Sequence, residues 1–198
     1  LIFTFYPSRL DQIGCKPKVM SESKKVENVI REYLLEETTI KKISEAKLDF
    51  GFQFKFPPGS DTSGRPIGQN MAVFKPQGKE LLIISLGTQV SEPHQKALDS
   101  LEEEKKMRFF VDLRKLFLMK NLMFRIDIQN VRYEISEPIF LSPKKVPSKN
   151  TFFKNVRKVF SCAAYCQILL NEYCSGKVGK EDLGKTRDFT GPGFSLYS

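Results

Sequence analysis

The sequence predicts an α+β protein, because the spacing of its apolar residues switches between strand and helix periods along the chain. The predicted order of elements is α-β-β-β-α-β-β-α. Two segments carry most of this prediction. Apolar residues occupy every second position of an early strand at 48–56, and a broad apolar face recurs through a final helix at about 149–173.

The first helix is predicted at 24–36, where apolar side chains lie three and four residues apart between charged ones. Ser23 is the expected N-cap residue, since its hydroxyl suits the first exposed backbone N–H groups. Ile40 and Ile43 are expected to extend the helix or to pack as a short connector.

Three strands follow this helix. In the first, Leu48, Phe50, Phe52, Phe54 and Phe56 are predicted to share one apolar face. Residues 67–75 form the second predicted strand, which Pro76 ends, and the apolar run 81–86 is typical of a central strand.

A long helical stretch is predicted from Ser91-Glu92-Pro93, a helix start, to about Lys120. The charged run at 102–106 predicts either a bend or two helices end to end. Two more strands are predicted at 124–128 and 131–135, and the alternation slips at Gln129-Asn130 between them.

The end of the predicted domain is a short strand followed by a capped helix. Residues 139–141 continue the fifth strand or form a short sixth one. Ser148 is predicted to cap the final helix, and Gly176 to close it. The expected buried face of this helix consists of Phe152, Phe153, Val156, Val159, Phe160, Ala163, Ala164, Ile168 and Leu169.

The domain limits follow from these elements. Residues 1–20 are expected to be a non-native or disordered leader, 21–176 a single α+β domain, and 177–198 a flexible tail. No apolar run approaches the length that spans a bilayer, and we expect a cytoplasmic protein. Net charge is +9, which solubility alone explains and which only weakly indicates an anionic partner.

Residue chemistry predicts no catalytic centre, metal site or cofactor. His94, the single histidine, lies one turn into a helix and is expected on the surface. Cys162 and Cys166 have the spacing of two zinc ligands, but no second pair lies nearby. We expect all four cysteines, with Cys15 and Cys174, to be reduced, and those of the final helix to pack in the core.

Two other segments have residue compositions that suit binding sites. The loop at 58–65 carries glycine, hydroxyls and an arginine, and is either an anion cradle or, as we favour, a solvated connection. From Pro138 to Asn171 the chain has no acidic residue. Basic residues beside Phe152 and Phe153 there suit nucleic acid, although we favour core rings and a solvated basic face. These residues are Lys144, Lys145, Lys149, Lys154, Arg157 and Lys158.

Local segments at 29–34, 54–59, 79–84, 91–94 and 150–153 resemble an uncharacterised, mainly archaeal family that has the type III secretion chaperone-like fold. The resemblance spans about 24–176. It implies a mostly antiparallel sheet with helices packed on it. Secretion chaperones of this fold bind unfolded effector segments, often as homodimers, so the resemblance implies a partner protein and a possible homodimer.

The predicted function is therefore a non-enzymatic protein- or peptide-binding module of the chaperone or adaptor type. Such a module would use a sheet edge or a groove between sheet and helix. The alternative is a nucleic-acid-binding protein that uses the basic region 144–158. No membrane partner is expected.

Overall fold

The computed structural model describes residues 17–60, 62–64, 67–142, 145–175 and 186–188, of which 17–22 and 186–188 are described by their backbone alone. The helices in these ranges are α1 (Pro17–Leu35), α2 (Glu92–Asp99), α3 (Glu103–Met119) and α4 (Lys149–Tyr173). The strands are β1 (Ile40–Lys42), β2 (Leu48–Phe56), β3 (Gln69–Pro76), β4 (Leu81–Val90), β5 (Met123–Asp127), β6 (Arg132–Phe140) and β7 (Thr186–Asp188).

The strands form one sheet in which every described pairing is antiparallel. Six of them follow in the order β1-β2-β3-β4-β6-β5, and β7 pairs with β4. β4 is a central strand, because it pairs with β3 on one side and with β6 along almost its whole length on the other. The predicted α+β class and the antiparallel sheet with packed helices are confirmed.

The main core lies between one face of this sheet and the helices. α1 packs on β2, α3 on β5, and α4 on β4 and β6, while α2 contacts α3 and α4. Phe50, Phe52 and Phe54 are buried here as predicted. A smaller apolar cluster of Ala72, Phe74 and Ile83 lies on the opposite face of the sheet.

A β-bulge corrects the prediction for the first strand. The pairing of β2 with β3 shifts between Leu48 and Phe50, so one extra residue is inserted there. Leu48 consequently packs with the smaller cluster. The prediction that Leu48 shares a face with the four phenylalanines is wrong, since an inserted residue reverses the side on which the next side chain lies.

The first connection also differs from its prediction. α1 begins at Pro17, so Ser23 lies inside the helix and is not its N-cap. The Ser23 hydroxyl instead donates to the Asp49 carboxylate at 3.1 Å. Ile40–Lys42 form a strand that pairs with β2, neither a helix extension nor a connector. Three residues are too few to show a strand period in the sequence.

The helical stretch in the middle of the chain is two helices, one of the two predicted arrangements. α2 ends at Asp99 and α3 begins at Glu103. The Ser100 hydroxyl donates to the carbonyl of Ala97 at 2.7 Å where α2 ends. β4 runs to Val90, beyond the predicted end at residue 86, and α2 therefore begins directly after the sheet.

The last elements follow their prediction closely. Residues 139–140 continue β6, and the hairpin from β5 turns through Val131, which has a φ of 46°. Ser148 caps α4 by accepting from the backbone N–H of Thr151 at 3.2 Å. Ile168 is 55% exposed, so its predicted burial is wrong.

Two further observations concern the ends of the chain and membranes. Thr186–Asp188, in the segment predicted to be a flexible tail, pair with Thr88–Val90 of β4. The rest of that segment and residues 1–16 lie outside the described ranges. Across the portion of the chain described, no helix combines the length and the apolar character required to cross a bilayer.

The Phe face of β2 gives a test of the core. Phe52→Ala should lower the free energy of unfolding by about 3–5 kcal/mol, because it removes a buried ring and leaves a cavity. Phe140→Ala is the matched control: this ring is 80% exposed, and its loss should change stability by less than about 0.5 kcal/mol. Urea melts of both variants measure this. Equal stability of Phe52→Ala and the parent would contradict the described core.

Candidate interaction site

The predicted basic region lies at the start of α4. Lys145 precedes the helix, and Lys149, Lys154, Arg157 and Lys158 lie in its first three turns, whereas Lys144 lies outside the described residues. Phe152 and Phe153 are 0% and 8% exposed. They belong to the core and do not form a stacking surface. Whether the basic side chains contact nucleic acid stays a prediction.

Two of these lysines hold α4 in place through acidic partners. Lys149 lies 2.5 Å from Glu36 and 2.8 Å from Glu37, at the end of α1. The hydrogen bonds that Lys149 donates to Glu36 and then to Glu37 raise the pKa of Lys149. Lys158 lies 2.8 Å from Glu137 of β6 and donates to the carbonyl of Asn121 at 3.0 Å. Both charges are therefore already balanced.

The remaining cations of the basic region differ from Lys149 and Lys158 in having no described acidic partner. Lys145, Lys154 and Arg157 are exposed. Within the described ranges no carboxylate lies in ion-pair distance of any of the three. Their charges are therefore available to an anionic group from outside the described structure.

Among the described strands, none pairs with the second half of β6 on its outer side. β5 pairs only with the first half of β6, from Arg132 to Ser136. Glu137–Phe140, which we call the β6 edge, pair with β4 on the inner side. No described strand pairs with them on the outer side. An unpaired strand edge is a template for another extended chain.

Large apolar side chains are exposed at the end of β6, at the start of β5 and at the end of α3. Phe140 is 80% exposed, and Met123, opposite Ser136, is 43% exposed. Leu118 and Met119, in the last turn of α3, are 68% and 76% exposed. Grouped apolar exposure of this kind typically marks an interaction surface.

A concavity of about 460 Å³ lies between the β6 edge and the start of α4. We call it the β6–α4 groove. Lys154 lies one helical turn from Lys158, and Lys158 joins α4 to Glu137, the first residue of the β6 edge. The groove is lined by Ile139, Phe140, Ser142, Lys145, Val146, Pro147, Ser148 and Thr151.

His94 is buried, and the prediction that it lies on the surface is wrong. It is 0% exposed because His94, Ala97 and Leu98 share the face of α2 that packs inward. The Asn171 amide oxygen lies 3.1 Å from Nε2, and Ser91 Oγ lies 2.8 Å from Nδ1. Nε2–H thus donates to Asn171, and Nδ1 accepts from the Ser91 hydroxyl. His94 joins α2 to α4.

The cysteines and the loop at 58–65 are described only in part. Cys162, Cys166 and Cys174 are free and buried, and Cys15 lies outside the described residues. Burial raises the pKa of the Cys166 thiol. Among the described side chains, no three of His, Cys, Asp and Glu are grouped to hold a metal ion. In the loop at 58–65, Asp61 and Arg65 are outside the described ranges.

A buried carboxyl group was missed by sequence reasoning. Glu134 of β6 is 5% exposed and accepts from the Ser85 hydroxyl at 2.5 Å. Its second oxygen and the hydroxyl of Ser136 are buried without a hydrogen-bond partner. Burial raises the pKa of Glu134, while the Ser85 hydrogen bond and the charge of Arg125 act in the opposite direction.

Comparison with known proteins gives a family match and a structural match. Residues 26–170 match the family described as Uncharacterized conserved protein (DUF2299). A similar fold occurs in the crystal structure of an uncharacterized protein from Methanothermobacter thermautotrophicus, with 21% identity and a TM-score of 0.64. That alignment covers 74% of this chain and 97% of the other. A search of curated proteins found no match.

The buried histidine predicts a loss of stability on substitution. His94→Ala should lower the free energy of unfolding by about 2–4 kcal/mol, because it leaves Ser91 and Asn171 without their buried partner. Lys96→Ala is the control on the same helix, since the Lys96 side chain is 75% exposed. Thermal and urea melts measure both. If His94→Ala is as stable as Lys96→Ala, His94 does not join the two helices.

Glu134 predicts a pH dependence of stability. Because its pKa is raised in the folded chain, ionisation there costs stability above the unfolded value of about 4.3. Glu134→Gln carries no charge. It should therefore be more stable than the parent at pH 7, and the difference should shrink as the pH falls towards 4.

Asp127→Asn is the control of opposite sign. A hydrogen bond from Asn130 is the largest effect that lowers the pKa of Asp127, and Arg132 lowers it further. The ionised carboxylate thus stabilises the fold at neutral pH, and Asp127→Asn should be less stable than the parent there. Urea melts at several pH values compare the two. A Glu134→Gln difference that does not change with pH would contradict the prediction.

Proposed function

We propose that this chain, which belongs to the family of uncharacterized conserved proteins DUF2299, is a non-enzymatic module that binds an extended segment of a partner protein. The binding site is the β6–α4 groove. The observation that carries the proposal is Phe140, a large ring that is 80% exposed at the end of a half-unpaired strand. Strand addition at such an edge supplies main-chain hydrogen bonds, and a neighbouring pocket supplies specificity.

Three observations support this mode of binding over a catalytic role. The groove of about 460 Å³ lies directly beside the edge, so an added strand has both backbone and side-chain contacts. The exposed side chain of Met123 in β5 lies on the same face of the sheet as Phe140. The single histidine is buried with both ring nitrogens bonded, which removes the commonest acid–base group from reach of a substrate.

We further propose that the fold is of the type III secretion chaperone-like type and that the protein is cytoplasmic. A type III secretion chaperone-like fold is supported by the element order and by the helices on one sheet face. A homodimer through the same apolar surface is the alternative to a different partner. A cytoplasmic location is supported by the free cysteines of α4 and its C-cap, which suit a reducing compartment.

Nucleic-acid binding through the basic region is the second candidate. Lys154 and Arg157, exposed about one turn apart on α4, favour it. It has less support than peptide binding, because Lys149 and Lys158 are paired with acids and the two adjacent phenylalanine rings are buried.

Peptide selection tests the proposal. The full chain is used to select binders from a random peptide library, and their affinities are measured by fluorescence polarisation. Phe140→Ser should weaken binding at least about tenfold, a loss of about 1.4 kcal/mol. Ile168→Ser changes an exposed apolar residue near the end of α4, which does not line the groove. This variant should leave the affinity within about twofold.

The peptide selection and the two variants distinguish binding in the β6–α4 groove from binding elsewhere. Enriched peptides that depend on Phe140 but not on Ile168 support the groove. No enriched peptide, or equal effects of both variants, would contradict it. Sedimentation of the parent and Phe140→Ser then shows whether the surface closes on a second copy.

A further inference from the structure

We infer that the segment bound in the β6–α4 groove is acidic, with acidic and apolar side chains alternating along an extended strand. This inference rests on the proposed function, because it names the chemistry of the partner at the same site. It follows from the charges around the groove and from the directions of side chains along the β6 edge.

The charges around the groove are positive and unbalanced. Lys145 lines the groove and Lys154 lies on the α4 turn beside it, and both are exposed. Two acids near the groove already have basic partners: Glu137 lies 2.8 Å from Lys158, and Glu80, which lines a neighbouring pocket with Lys145, lies 3.5 Å from Lys75. From Pro138 to Asn171 the chain has no other acid. A carboxylate from a partner would therefore meet uncompensated lysines.

The apolar contact lies on the other side of an added strand. Phe140 pairs with Leu81, and Leu81 packs against the small cluster on the sheet face opposite the main core. Met123, which pairs with Ser136, lies on that same face, since alternate residues of β6 share a side. Ile139, between them, packs against the main core.

Strand geometry converts these positions into a pattern. Successive side chains of a strand point to opposite faces, so a chain laid along the β6 edge presents every second residue to α4. The side chains of the added strand that point to α4 contact Lys154 and Lys145. The side chains between them contact Phe140. Four residues of the edge span about 13 Å, enough for two residues of each kind. The matching partner alternates carboxylate and apolar side chains.

Two fluorescent peptides test this inference against the full chain. The first contains Glu-Leu-Glu-Val-Glu-Leu between Gly-Ser flanks, and the second has lysine at each glutamate. The acidic peptide should bind the parent at least about tenfold more tightly than the basic one. A third peptide of the first composition, with its glutamates and its apolar residues in two separate blocks, should bind as weakly as the basic one.

Variants of the chain locate the effect. The double change Lys145→Glu and Lys154→Glu should reverse the preference between the acidic and basic peptides. Lys41→Glu with Lys47→Glu alters net charge equally, but changes exposed lysines at and near β1 on the far edge of the sheet. This control should retain the preference. Thermal melts confirm that each variant is folded.

Each remaining outcome contradicts a defined statement. If acidic and basic peptides bind equally, and both depend on Phe140, the proposed groove stands and the acidic partner is wrong. If neither peptide binds, although the peptide selection yields Phe140-dependent ligands, the acidic pattern is again wrong. If the far-edge control loses the preference as well, the effect is net charge and not the groove. If a single-stranded oligonucleotide binds in place of the acidic peptide and is unaffected by Phe140→Ser, the surface serves nucleic acid and the inference is overturned.

Discussion

The packing of α4 across the centre of the sheet is the interaction on which the rest of the structure depends. Its buried residues, among them Phe152, Val156 and Cys166, fill the face formed by β4 and β6. Lys149 fixes one side of the helix to α1, and Lys158 fixes another to β6. Because these contacts set both the position and the rotation of α4, they also set the width of the groove beside the β6 edge.

The parts of the fold that are regular over many residues could be predicted from the sequence. The strand period at 48–56 and the capped helix after Ser148 each extend over several repeats, and local hydrogen bonding marks where they begin. Features that depend on a single inserted residue or on a distant partner could not. The bulge before Phe50 places Leu48 on the opposite face of the sheet. The segment β1 is a strand because its backbone pairs with the edge of β2.

The candidate site also combines features that the sequence predicts with features that depend on distant contacts. Its lysines were visible as a stretch without acids, but the pairing of Lys158 with Glu137 depends on how a helix and a strand meet. The sequence does not distinguish Phe140 from other apolar strand residues, since its exposure depends on β5 beginning opposite Ser136 and leaving the rest of β6 without a described neighbour there. His94 could have been recognised as buried from its spacing to Ala97 and Leu98 on one helical face.

Amide hydrogen exchange tests the central claim most directly, namely that the uncovered half of β6 receives a partner strand. Exchange of the full chain is compared with and without a peptide selected for binding. We expect new protection at Phe140 and in the first turns of α4, because an added strand engages the outward N–H of Phe140, whereas the Leu141 N–H is already bonded to the Glu80 carbonyl and Pro138 has no N–H. Protection confined to β1 at the opposite edge of the sheet, or to no backbone segment, would contradict it.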